Sequence, residues 1–262
     1  MTTIVKAWGT IRSVLGECRF NDIKDLVGLA GIDLYKLSHL DQNPENGATK
    51  GQLLTAIDAL FGRMNPKEGQ AFLTILVEEL LKKNPALLSQ LGELLSRHGW
   101  GVVDSRLVAL ELFDPVELAQ LPEATRSDLV KASQRFRDGD LSGAISAACG
   151  AIDTATSEIY AAHSLGDPTK ASFQQRCTRS LEALRTLADM EDQLRELGWN
   201  EAKLKQFLQN FNGALNQGAN VLQTLRSDMG DVHGSKPILK PLVYDALKWA
   251  DLFVRRLSTN RS

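Results

Sequence analysis

The chain is poor in aromatic residues, poor in cysteine and free of long apolar runs. Aromatics make up 6% of its 262 residues, while leucine and alanine abound. That balance disfavours a β-sandwich or barrel and favours helices. The three cysteines, Cys18, Cys149 and Cys177, have no metal-ligand spacing, and their odd number fits reduced thiols better than a disulfide framework. They read as small hydrophobes in a cytoplasmic protein. Residues 71–77 form one of the longest apolar stretches, far too short to cross a bilayer. The first six residues lack the basic start and apolar core of a secretory leader, so neither secretion nor a membrane is expected. No sign of charge dominates: the net charge is −2, and any contact with nucleic acid must be local. There is no phosphate-binding glycine loop of the Walker or Rossmann type, no hydrolase arrangement of serine, cysteine or carboxylate, and no cluster of metal ligands. No cofactor and no metal are expected.

What the chain does have is helical periodicity over most of its length. Residues 4–18 place Ile4, Trp8, Ile11 and Leu15 on one face, and a short helix follows around 23–30. Thr49 is placed to cap a helix running to about residue 64. Asn65-Pro66 and Asn84-Pro85 repeat one start signal, a capping asparagine and a first-turn proline. Residues 1–100 therefore read as a helical bundle of about five helices. Residues 101–124 break the pattern: 102–103 and 107–112 suit short extended pieces, and Pro115 and Pro122 flank a turn. This stretch is expected to link two domains, although its apolar content implies that it packs on something.

A second helical run fills 125–262, with segments at 127–137, 141–162, 172–188 followed by a short piece to Leu197 that Gly198 ends, and 237–257, and a longest one from a cap at Asn200 to about Met229. Gly213 and Gly218 inside that longest helix each weaken it by about 1 kcal/mol relative to alanine, and in an antiparallel bundle they also permit close helix approach. The expected architecture is all-α, two domains, at 1–100 and 125–262.

The sharpest chemical signal lies where the longest helix ends, in Leu225-Arg226-Ser227-Asp228-Met229-Gly230-Asp231-Val232-His233-Gly234. Arginine is always charged and histidine titrates near neutral pH, a pairing suited to phosphodiester chemistry. On an unbroken helix Arg226 and His233 would stand about 10 Å apart along the axis. A break at Gly230 would let His233 turn back, and a symmetric pair of chains would bring two such motifs into one cleft. A plainer reading is equally open: Arg226 complements the helix dipole, His233 bonds a turn, and Asp228 and Asp231 pair with Arg226.

That segment, together with Asp140 to Asp153 (a run of small residues leading to an acidic one), makes residues 125–257 resemble the HEPN superfamily, and within it the C-terminal domain of bacterial abortive-infection proteins. The resemblance implies a four- or five-helix bundle that forms a homodimer through 125–262. It also implies a metal-independent ribonuclease of phage defence or a toxin-like system, acting on transfer RNA or single-stranded RNA. Arg226 would stabilise the phosphate charge and His233 would act as acid and base. Ser227 stands where the family often has Asn, Asp or His. Ser227, Asp228, Asp231 and Asp153 are the supporting candidates, Asp153 being equally readable as a solvated carboxylate. The rival expectation is an inactive dimeric scaffold that recruits another effector.

Other residues carry weaker signals. Gln174-Gln175-Arg176 with Arg179 and Arg185 forms a modest basic stripe, read first as a solvated face. Lys203, Lys205, Lys236, Lys240 and Lys248 surround the motif in sequence and could collect RNA. His98 reads as a helix-end cap, His39 and His163 as surface residues, and Trp100 and Trp199 as packing anchors. The first hundred residues bear no catalytic signature. Their short-helix order loosely resembles death-fold-like adaptors, which implies a module that senses a trigger or binds a protein partner.

Overall fold

The computed structural model describes residues 4–42, 47–230 and 238–258. Within them the chain is mostly helical, and its only sheet is a two-stranded hairpin. None of the described helices is long and apolar enough to cross a membrane. Two compact units divide the chain between Pro115 and Val116.

The first unit opens with a 3-10 turn at Ile4–Ala7, then α1 (Trp8–Leu15) and α2 (Phe20–Leu29). The helix expected over 4–18 is thus shorter, stopping before Gly16. Next come α3 (Lys50–Phe61) and α4 (Pro66–Lys83). Both start on reciprocal capping boxes, Thr49 with Gln52 and Asn65 with Glu68, which satisfy otherwise orphaned N–H groups. Asn84 makes no such side-chain bond. It already ends α4, donating its N–H to the Leu80 carbonyl at 2.9 Å, and the chain passes through a 3-10 turn before α5 (Leu88–Ser96). The core here is built from large side chains. Trp8, Phe61 and Phe72 gather with ring centroids 5.0–6.1 Å apart. Beside them Asp58 accepts from the Trp8 indole at 3.0 Å and from Arg12 Nε at 2.9 Å.

The stretch expected as a linker is folded. Strands β1 (Trp100–Val103) and β2 (Arg106–Ala109) pair antiparallel, Trp100 opposite Ala109 and Val103 opposite Arg106. Asp104 and Ser105 both take positive φ, 49° and 61°, the backbone that matches a two-residue turn to strand twist. Leu107 and Val108 are buried, and the strands pack on α4 and α5, so the hairpin belongs to the first unit. A Cβ on Gly101 would lie 2.3 Å from Pro115 Cγ, so only glycine allows that approach. The short α6 (Pro115–Ala119) spans the boundary.

The second unit contains α7 (Glu123–Asp138), α8 (Leu141–Ala162), α9 (Phe173–Ala183), α10 (Thr186–Glu196), α11 (Glu201–Met229) and α12 (Lys240–Ser258). α7 starts at Glu123 after Pro122, earlier than the periodicity indicated. Gly139 closes it at φ 85°, and Asp140 then caps α8 by accepting from the Gly143 N–H at 2.9 Å. The break expected after residue 188 falls earlier, at Arg185, which sits at φ 55° between α9 and α10. α8 is the central rod, touching α7, α9, α11 and α12. Its buried set includes Gly143, Ala144, Ala147, Ala148, Ala151 and Ala155, whose small side chains let four neighbours come close. α11 and α12 approach at Gly218, where a Cβ would stand 1.6 Å from the Trp249 ring. Gly213 has open space around it and serves no such approach.

Candidate functional site

α11 carries the site's arginine. Asn200 opens this helix by accepting from the N–H groups of Ala202 and Lys203 at 3.1 and 3.3 Å. It then runs 29 residues and ends at Met229. Gly230 donates its N–H to the Arg226 carbonyl at 3.1 Å and leaves the helix with ψ 160°. A Cβ on Gly230 would lie 2.3 Å from that carbonyl oxygen and 3.2 Å from Ser146 Oγ on α8, so the stop is built for glycine. The helix that carries Arg226 therefore ends at Met229.

Arg226 Nη1 lies 2.5 Å from Asp153 Oδ2, with the arginine side chain 43% exposed and the aspartate 23%. The other carboxylate oxygen of Asp153 pairs with Arg176 Nη2, on α9. One carboxylate on α8 thus ties α9 to α11, and the three groups together carry one net positive charge. Arg176 is the more sheltered cation, 16% exposed. Its Cζ lies 5.9 Å from the Phe173 ring centroid, and its buried Nε has no hydrogen-bond partner among the described residues. A charge-assisted pair in a half-sheltered place is stronger than one in open water, because less solvent screens it.

The neighbouring groups hold this arrangement together. Thr178 Oγ1 donates to Asn216 Oδ1 at 2.5 Å, Gln174 Nε2 donates to the Asn216 carbonyl at 3.1 Å, and the Gln174 N–H donates to Gln223 Oε1 at 3.3 Å. This polar seam fixes α9 against α11. The Cys149 thiol sits 3.8 Å from the Leu222 carbonyl. Burial pushes both Cys149 and Cys177 up to about 12, with Arg226 opposing the rise at the first and Arg176 at the second. Both stay protonated at neutral pH and are packing groups, not nucleophiles.

Among the candidates read from the sequence, Arg226 and Asp153 are in contact, while Ser227 and Asp228 are exposed on the last turn of α11. Asp231 and His233 lie outside the described residues, as does Lys236. Arg226 makes a long-range pair with Asp153, and the solvated reading of Asp153 gives way to a doubly paired carboxylate. Arg176 had been grouped with Arg179 and Arg185 on a solvated face. Those two are exposed, whereas Arg176 turns inward. The signal was its spacing: Arg176 stands three residues after Phe173 and four before Ser180, at the flank of the buried face.

His98 Nε2 meets Thr10 Oγ1 at 3.2 Å just past the end of α5, while its N–H donates to the Leu95 carbonyl in the last turn of that helix at 2.9 Å. His39 and His163 are exposed, as are Lys203, Lys205 and Lys240. Lys240 and Lys248 lie over the rings of Phe136 and Tyr244, at 5.4 and 5.7 Å from the centroids. Trp100 is buried at the start of β1, while Trp199 is half-exposed and packs on Phe207 at 5.4 Å. No protein-family model, no curated protein and no solved structure matches this chain.

Proposed function

We propose that the second unit is a HEPN-type, metal-independent endoribonuclease domain of a cytoplasmic defence or toxin-like effector. The observation that carries this reading is the half-exposed Arg226 guanidinium, held three residues before α11 ends at Met229, with His233 four residues further along the sequence. An arginine placed this way can take the equatorial oxygens of a phosphodiester. In the proposed reaction His233 takes the proton of the ribose 2′-hydroxyl. The 2′-oxygen attacks phosphorus, the bond from phosphorus to the 5′-oxygen breaks, and a proton passes to that oxygen. The products are a 2′,3′-cyclic phosphate end and a 5′-hydroxyl end. Two copies joined through the second unit would line one cleft with both motifs. The first unit would bind the trigger or partner that restrains the nuclease.

A second reading is favoured by one observation: Arg226 already has a carboxylate partner, as it would in a dimeric scaffold without catalysis. The discriminating experiment is cleavage of total transfer RNA and single-stranded RNA in EDTA by the wild type, Arg226→Ala and His233→Ala. Cuts made by the wild type alone are expected. If no variant cuts, including after co-expression of the toxic form in cells, the scaffold reading takes over. In cells, His233→Ala is expected to relieve growth toxicity with folding intact, and equal toxicity of both proteins would count against the nuclease.

A further inference from the structure

An arginine that binds phosphate and is already held by a carboxylate through one of its amino groups can exchange one anion for the other. At this site the carboxylate is shared. Asp153 holds Arg226 through Oδ2 and Arg176 through Oδ1, and the two cations differ in exposure, 43% against 16%. Solvent and solutes reach Arg226 more readily. Arg176 is held by a cation–π contact with Phe173 and by the position of α9, which the Thr178–Asn216 and Gln174–Asn216 bonds fix against α11.

We propose that Asp153 is an exchangeable counter-ion occupying the place of a phosphodiester on Arg226, and that Arg176 is the positioning residue that makes the exchange possible. When a phosphate of single-stranded RNA takes over Arg226, the Asp153 carboxylate keeps Arg176 as its partner. Without Arg176 the same exchange would strand a partly buried carboxylate beside an incoming anion, which is costly twice over: a desolvated charge loses its partner and faces a like charge. The triad therefore presents a site that is neutralised enough to be stable when empty and still one charge positive toward RNA. No bond is made or broken in this step, and Arg176 touches Asp153, not the substrate. The inference rests on the reading of Arg226 as a phosphate ligand, and it concerns binding only.

The test uses the full chain and a single-stranded 2′-O-methyl RNA, which has the phosphodiesters and lacks the free hydroxyl, so that binding is read with no cleavage. Fluorescence anisotropy at low salt compares the wild type with D153N, R176Q and the double variant, each checked by circular dichroism and thermal melting. Formal charge at the triad is raised by one in D153N, lowered by one in R176Q and restored in the double variant. D153N is expected to bind about tenfold tighter and R176Q about tenfold weaker, with the double variant close to wild type. A purely structural role for Arg176 gives a different result, since removing Asp153 would not rescue R176Q. Failure of that rescue, or weaker binding by folded D153N, overturns the proposal. If D153N does not fold, R176K and R176Q carry the test: R176K should keep wild-type binding, and equal binding by these two overturns it. A protein that cuts unmodified RNA but shows no rescue loses this inference and keeps the nuclease reading. One that shows the rescue but never cuts loses the nuclease and keeps the exchange site.

Discussion

The two units bury apolar surface in opposite ways. In the first, between Ile4 and Pro115, large side chains fill the space: Trp8, Phe61 and Phe72 form one cluster, and Ile11, Leu15, Phe20 and Ile23 are fully buried. Its ion pairs, such as Lys24–Asp41 and Arg97–Glu93, lie toward the surface. In the second, α8 is lined with alanine and glycine, and helices close in on it until polar groups are caught between them. Arg176 is 16% exposed and Asp251 is 12% exposed, and each is paired. Burying charge costs stability unless it is paired. The second unit carries this cost at Asp251 on α12 and where α8, α9 and α11 meet, and the latter, with its half-exposed Arg226, is where a functional site has a physical reason to be.

This contrast predicts opposite sensitivities. Truncation should hurt the first unit most. Phe72→Ala removes a ring from the aromatic cluster and is expected to cost about 4 kcal/mol, read from denaturant unfolding. A loss below about 1 kcal/mol would mean that this core is not jigsaw-packed. Enlargement should hurt the second. Gly218→Ala drives a methyl into Trp249 and is expected to cost about 3 kcal/mol. Gly213→Ala, on the same helix with nothing within 4 Å, should instead stabilise by about 1 kcal/mol. If both glycine variants behaved alike, helix propensity and not close packing would govern α11.

The smallest expected effect concerns pH. Burial pushes the Asp251 carboxyl up, and Arg255 at 3.1 Å only partly opposes this. The native state then holds this proton more tightly than the unfolded chain does. Stability from this group falls as pH rises from the ordinary carboxylate range through the raised value. Asp251→Asn should lack that fall, so its unfolding midpoint should gain on the wild type across the same window. A parallel pH profile for the two proteins would show that Arg255 fully compensates the buried charge.

Much of the helix map was legible because its signals are local. Thr49, Asn65 and Asn200 sit within three residues of the N–H groups they satisfy, so they cap their helices wherever the rest of the chain goes. Asn84 repeats one of these signals and does not cap, because the preceding helix had already claimed the residue. The hairpin was visible only as two short extended pieces inside a break in period, and its turn at Asp104 and Ser105 has no glycine to announce it. The helix stop at Gly230 was legible too, though Ser146, whose hydroxyl lies beside it, is far away in the sequence.

By itself the sequence determined the helical class, most helix starts, and the arginine at the end of α11. These depend on periodicity, capping and residue chemistry, which act over a few residues. Only the tertiary structure decided that Asp153 faces Arg226 across 73 positions, that Arg176 leaves its apparent surface stripe to share that carboxylate, and that Gly218, not Gly213, receives Trp249. Each outcome depends on how α8, α9, α11 and α12 rotate about their own axes. That rotation is set by the summed packing of small side chains along α8, a property of several helices together that no single segment encodes.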